Sequence, residues 1–217
     1  MTTPESGELL GTPKAEFLQS VRQALGRGDA PPAEPYPRLT DTVPEMEEKA
    51  SQIRKRLEEN LPALLDKLGE MAALGGWKVH RASGVEEAIG YIESVALESE
   101  STNIVRSAQD VFDHIPVDAA LANLGLKVTT VVRDEVNPRE ALREEIRQSG
   151  IGITGADYAL AETGSLVVLP RQGLSRLVSL VPPVHIALVR PEDLLESLDD
   201  LFLLRWLEYH QRGGEMG

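Results

Sequence analysis

The sequence contains no cysteine. That excludes disulfides, a thiol nucleophile, a structural zinc site of Cys type and a cysteine-ligated iron–sulfur cluster within this chain. Aromatic residues are also scarce, at 4% against 41% hydrophobic residues overall, so a core must be assembled mostly from Leu, Val, Ile and Ala. Positive charge is outnumbered: 22 Lys and Arg face 35 Asp and Glu, for a formal net charge of -13. With no dense basic stripe to neutralise phosphates, nucleic acid is not an expected partner. No apolar run reaches the roughly 18 residues needed to cross a bilayer. The opening MTTPESGELLGTPK lacks the basic start and apolar centre of a signal peptide. The expectation is a cytoplasmic protein without a membrane span.

What is present suffices for one main domain, because a chain of this size removes roughly 70% of its unfolded surface from water. Phe17, Leu18, Val21, Ala24 and Leu25 recur at spacings of three and four and predict a short amphipathic helix over 14–25, with Gly26 as its stop. From Gly26 to Pro44 the chain carries Gly28, Pro31, Pro32, Pro35, Pro37 and Pro44 and reads as a semi-extended linker. Residues 1–44 are thus read as a helical arm and linker, and 45–217 as an α/β domain. Met46, Ala50, Ile53, Leu57, Leu61, Leu64, Leu68 and Met71 predict a long helix from 45 to about 74. Pro62 within it leaves open a kink, with Asn60 capping a second half.

Beyond Gly75-Gly76, strand-like runs at Trp77–Arg81, Asn103–Arg106 and Lys127–Val132 alternate with helix-like runs at Val85–Leu97 and Pro138–Gln148. That alternation predicts a three-layer α/β/α fold around a mostly parallel sheet. Leu121–Leu126 reads as a single helical turn. Three β-like runs follow, Ile151–Thr154, Tyr158–Glu162 and Ser165–Leu169, the last two joined as an antiparallel hairpin through Thr163-Gly164, where glycine supplies a positive φ. A loop from Pro170 to Pro183 leads to a strand at His185–Val189, and Pro191 opens a final helix with Leu194, Leu198, Leu201 and Phe202 facing inward.

Chemistry-bearing residues concentrate between Gly152 and His185. Thr154, Asp157, Glu162, Thr163 and Ser165 place hydroxyls and carboxylates near strand ends, where α/β sheets usually hold ligands. The same residue types also satisfy turn amides, and the sequence leaves both roles open. A carboxylate ending a strand beside a glycine turn is a candidate for partial desolvation, which would raise the pKa of Glu162 and suit it to acid–base or nucleophilic work. Arg171 and Arg176 offer planar, bidentate groups to a small anionic substrate, or pair with local acids. His185 lies on an apolar strand as either a hydrogen-bonded structural residue or part of the site. Asp110, Asp113 and His114 share helical spacing but read more simply as acids capping a turn than as a metal site. Neither a GxGxxG fingerprint nor a GxxxxGK[ST] phosphate loop is present.

The string GITGADYALAETGS (152–165), the Arg/Ser loop after it, LVPPVHIALV (180–189) and the opening KAEFLQSVRQALGR (14–27) together resemble the lactate-utilisation (LUD) family, in its protein C type. The resemblance implies a fold like that of the NagB/RpiA/CoA-transferase group and a part in oxidising L-lactate to pyruvate alongside iron–sulfur subunits. With no cysteine here, the clusters would belong to those partners. The family's closing segment, resembling GPS-x-TADIE, is not found in HQRGGEMG. Three functions remain open: an accessory subunit of a lactate-oxidising complex; a stand-alone enzyme on a small carboxylic acid, since Glu162-Thr163-Gly164 resembles the Glu-x-Gly turn of CoA transferases; and a non-catalytic regulator or scaffold. On the enzyme reading Glu162, Thr163 and Ser165 are catalytic, and Thr154, Asp157, Gly164, Arg171, Arg176 and His185 bind substrate.

Overall fold

A computed structural model describes residues 14–24, 41–132, 139–170 and 175–213. The chain divides into two units, Met1–Asp41 and Thr42–Gly217. In the first, α1 (Lys14–Ala24) forms where the apolar spacing predicts it, with Phe17, Leu18 and Val21 exposed. The expected linker at 26–44 lies outside the described residues up to position 40, and its last two residues open the next helix.

The second unit is built on a four-stranded, wholly parallel sheet in the order β2-β1-β3-β6. Its strands are β1 (Asn103–Arg106), β2 (Lys127–Thr130), β3 (Ile151–Gly155) and β6 (Val184–Leu188). Because side chains alternate across a strand, each face acquires its own core. Ile104, Ile151 and Ile153 pack with Ile92 and Ala96 of α3 (Val85–Glu98), Val111 and Phe112 of α4 (Val111–His114), and Val117 and Leu121 of α5 (Val117–Asn123). On the opposite face Val105 meets Leu142 and Ile146 of α6 (Arg139–Gln148) and Val178 of α7 (Ser175–Leu180). Helices on both faces of a parallel sheet make the expected α/β architecture.

A smaller sheet, ordered β5-β4-β7, accompanies it: β4 (Tyr158–Leu160) pairs antiparallel with β5 (Ser165–Val167) and parallel with β7 (Leu194–Leu195). It packs on α2 (Val43–Leu74) and α8 (Leu198–Gln211), burying Ile53, Leu64, Ala159, Leu160, Leu194, Leu195 and Leu201. Arg56 ties the two helices, bridging both oxygens of Asp200 at 2.8 Å and Glu196 at 2.7 Å. Proline 62 does not divide α2, which runs unbroken through it. Asn60 donates to the Arg56 carbonyl at 2.9 Å instead of capping a second helix.

Five expectations need correction. Trp77–Arg81 is not a strand; only its first amide is in a backbone hydrogen bond, from Trp77 to the Ala72 carbonyl at 3.0 Å, and it joins neither sheet. A β-like pattern without a paired neighbour cannot complete a ladder. The presumed loop 170–183 contains α7, too short for its periodicity to register. Pro191 opens a 3-10 turn, Pro191–Asp193, rather than the last helix; Leu194 becomes a strand residue and α8 begins only after Ser197, whose hydroxyl accepts from the Asp200 amide at 3.3 Å. Phe202 is 59% exposed rather than inward, and Leu198 is also exposed. Finally, the single turn expected at 121–126 is the end of α5, which starts four residues earlier.

Candidate ligand site at the parallel sheet

In the order β2-β1-β3-β6 the chain winds from β1 outward to β2, then returns across β1 to β3. The reversal falls between β1 and β3, and it is beyond the carboxyl ends of such strands that open α/β sheets hold ligands. Two of the expected site residues, Thr154 and Asp157, lie at that end of β3.

Asp157 belongs to a network that sequence reasoning missed. Gln109, buried just past β1, accepts from the Ser107 hydroxyl at 2.5 Å and from the Gly155 amide at 2.8 Å. Its own amide nitrogen donates to Asp157 Oδ2 at 3.2 Å, and that oxygen also accepts the Leu169 amide at 2.7 Å. A Cβ on Gly155 would stand 2.8 Å from Val111 and 3.2 Å from Gln109, so a glycine is needed for this approach. The network stitches β1 to β3 and to the chain leaving β5. The only clue in the sequence is the polar trio Ser107, Gln109 and Asp110 directly after an apolar strand.

Past β6, Arg190 chelates Asp193 at 2.7 and 2.9 Å and reaches Asp110 at 3.2 Å and Glu192 at 3.5 Å. The hydrogen bond to Asp193 holds this guanidinium firmly protonated. Asp110 is therefore an ion-pair partner. Among the described residues no group of three His, Cys, Asp or Glu side chains is disposed to hold a metal, and Asp110, Asp113 and His114 form none.

Thr154 and His185 meet on the sheet face that α7 covers. Strand β3 pairs with β6 in the register Gly152↔His185 and Thr154↔Ala187, so both side chains emerge on the same side. Thr154 is 0% exposed, and its Oγ1 lies 2.9 Å from His185 Nε2. Burial pushes the His185 pKa below its ordinary value, so the ring is neutral at pH 7. Trp77, 37% exposed, meets the imidazole in an inclined, T-shaped arrangement with ring centres 5.7 Å apart and 63° between planes. The Val178 carbonyl of α7 crosses Gly152 where a Cβ would be only 1.9 Å away.

Glu162, Thr163, Gly164 and Ser165 form the hairpin turn and engage other parts of the fold. Glu162 Oε1 accepts the Leu198 amide at 2.7 Å, satisfying an otherwise orphaned donor at the start of α8. The Thr163 hydroxyl donates to Ser165 Oγ at 2.9 Å. Gly164 has φ +66° and sits against α2 so closely that a Cβ would lie 2.2 Å from the Ala72 nitrogen. The Trp77 amide bonds the carbonyl of that same Ala72 at 3.0 Å, so the carboxyl end of α2 touches both the turn and the tryptophan that meets His185. Arg176 is exposed in the first turn of α7. Arg171 lies outside the described residues. Two small hollows among the described residues lie elsewhere, one lined by Ile89 and Leu121 and one by Ile53 and Asp200, and neither admits a water molecule.

The LUD domain model matches residues 65–213, a span that includes the Trp77, Thr154 and His185 cluster, the Gln109 network and the hairpin turn. The chain belongs to the LUD-domain family. This LUD chain is 27% identical over 201 residues to a protein named lactate utilization protein B of Bacillus licheniformis, across 71% of its own length and 42% of the relative's. To the protein of the same name in Bacillus cereus strain B4264 it is 27% identical over 205 residues, across 74% and 43%. These relatives carry the protein B name, where the sequence resemblance pointed to type C. The aligned region spans less than half of either relative. No solved structure matches the chain. Among the described residues no helix is long and apolar enough to cross a membrane.

Proposed function

We propose that this LUD-domain protein, in the protein C role, is an accessory subunit of a cytoplasmic assembly that oxidises L-lactate to pyruvate, with iron–sulfur clusters held by its partners. The observation that carries the reading is the LUD match over residues 65–213, supported by relatives named for lactate utilisation. The lack of cysteine fits the division of labour. Oxidising a secondary alcohol releases two electrons, and a chain without thiolates leaves their reception by clusters to other subunits.

Deletion of the gene should abolish growth on L-lactate but not on pyruvate, and the tagged full-length protein should copurify with proteins containing iron and acid-labile sulfide. Unimpaired growth on L-lactate after deletion would sink the proposal. The alternative of a CoA-transferase-like enzyme with Glu162 as nucleophile predicts a covalent adduct at Glu162 on incubation with an acyl-CoA, absent in Glu162→Gln. Such an adduct, seen by peptide mass spectrometry, would replace the accessory reading.

A further inference from the structure

An edge strand offers a row of backbone N–H and C=O groups to any chain that can lie beside it, and folded proteins blunt such edges with shortness, lysine or proline. The two outer strands of the parallel sheet differ in this respect. Strand β2 has four residues and begins with Lys127, which pairs with Glu145. Strand β6 has five, Val184–Leu188, with neither lysine nor proline and an unbroken register against β3. From Leu177 to Val189 the chain carries no Asp, Glu, Lys or Arg. Exposure marks the same edge. Every residue of the central β3 is buried, while every residue of β6 is partly exposed whichever face its side chain takes. Solvent therefore reaches β6 along its length and not through one face.

The ladder fixes which groups point outward. Val184 donates to the Gly150 carbonyl at 3.3 Å, and the Leu188 carbonyl accepts from Ala156 at 2.8 Å, so the even-numbered positions bond toward β3. Backbone groups alternate in direction along a strand, and those of His185 and Ala187 point to the open side. Closely bonded residues of antiparallel strands exchange both hydrogen bonds. Setting His185 opposite a second copy's Ala187 then uses every outward group and puts a two-fold axis at Ile186. We propose that β6 is a dimer interface, where a second copy adds antiparallel about Ile186 and joins two four-stranded sheets into one. A second copy is the occupant because the strand complements itself in that register, as a closed two-fold contact requires. Charge favours the same place. Chains of net charge -13 repel wherever acids line the contact, and this edge carries none. Leu180 and Val181, 77% and 42% exposed where α7 ends ahead of the strand, add apolar surface beside it.

Sedimentation velocity of the full-length protein should give twice the 23.7 kDa chain mass, falling toward one chain on dilution. Amide hydrogen exchange reads the edge itself. The Val184, Ile186 and Leu188 amides should be protected at every concentration, and those of His185 and Ala187 only where the dimer forms. Leu180→Glu adds an acid at an exposed position beside the strand and should weaken the dimer about tenfold. Ala187→Pro removes an outward donor from each copy, a change that edge strands accept where the N–H faces out, and should weaken it about a hundredfold. Should that variant fail to fold, Leu180→Glu and the wild-type exchange pattern decide. A single-chain mass at every concentration up to about 1 mM, a dimer that Leu180→Glu leaves intact, or a dimer with unprotected His185 and Ala187 amides would overturn the proposal. So would protection of those amides that appears only when another protein is added, which would assign the edge to that partner.

Discussion

The hairpin turn at Glu162–Ser165 and the pair Thr154–His185 carry the same kinds of groups, and the fold treats them in opposite ways. At the turn, the Glu162 carboxylate holds the first amide of α8, Thr163 bonds Ser165, and Gly164 is seated on the α2 backbone. At the pair, a fully buried hydroxyl and an imidazole on neighbouring strands meet in one side-chain hydrogen bond. A carboxylate beside a glycine turn looks the more reactive of the two on paper. What separates them is placement: the first region ties a turn to two helices, and the second joins two neighbouring strands within the parallel sheet.

The contrast can be broken most forcefully at Gly164. Gly164→Val adds a branched side chain at positive φ directly into the Ala72 backbone, which cannot yield, and should cost more than about 3 kcal/mol, read as a lowered denaturation midpoint. Glu162→Ala removes the amide acceptor of α8 and should cost about 1 kcal/mol by the same measurement. Glu162→Gln retains an acceptor oxygen and should cost less, with lactate-dependent growth intact; a fold-neutral Glu162→Gln that abolishes growth would erase the distinction drawn above. Thr154→Val should cost about 1 kcal/mol for its lost hydrogen bond.

The smallest effect concerns pH. Burial lowers the His185 pKa in the folded state below the ordinary 6.5, so the unfolded chain binds the proton first as pH falls. Stability contributed by the neutral ring is present above about pH 6.5 and is lost as pH drops from there toward the folded value, after which the loss levels off. His185→Gln should flatten that segment of the stability profile. An unchanged profile in the variant would show that the ring is not appreciably desolvated.

Long-period signals were legible in the residues. The eight apolar positions of α2, the strand–helix alternation and the Thr163-Gly164 hairpin all appear where spacing and turn chemistry place them. Short elements were not: β7 has two residues and α7 six, and neither length carries a period. Trp77–Arg81 has the composition of a strand, but pairing is a property of neighbours and not of a segment. In the site, Thr154 and His185 could be singled out as polar residues on apolar strands, while their contact required the β3–β6 register. Trp77 was misassigned to a sheet and so missed as a neighbour of His185. Gln109 was invisible for a related reason, since its three partners come from positions 107, 155 and 157 and meet only when β1 and β3 lie side by side.

The seating of Gly164 on α2 also sets an order of events during folding. The hairpin is local and α2 is local, yet their contact joins residue 72 to residue 164, with β1, β2 and β3 lying between them in the chain. Closing so large a loop is entropically slow and is rewarded only once both pieces are formed. The smaller sheet therefore locks late, after the parallel sheet has brought residue 164 back toward residue 72. Substitutions at Gly164 should then act mainly by hastening unfolding, with little change in the rate at which the parallel sheet assembles.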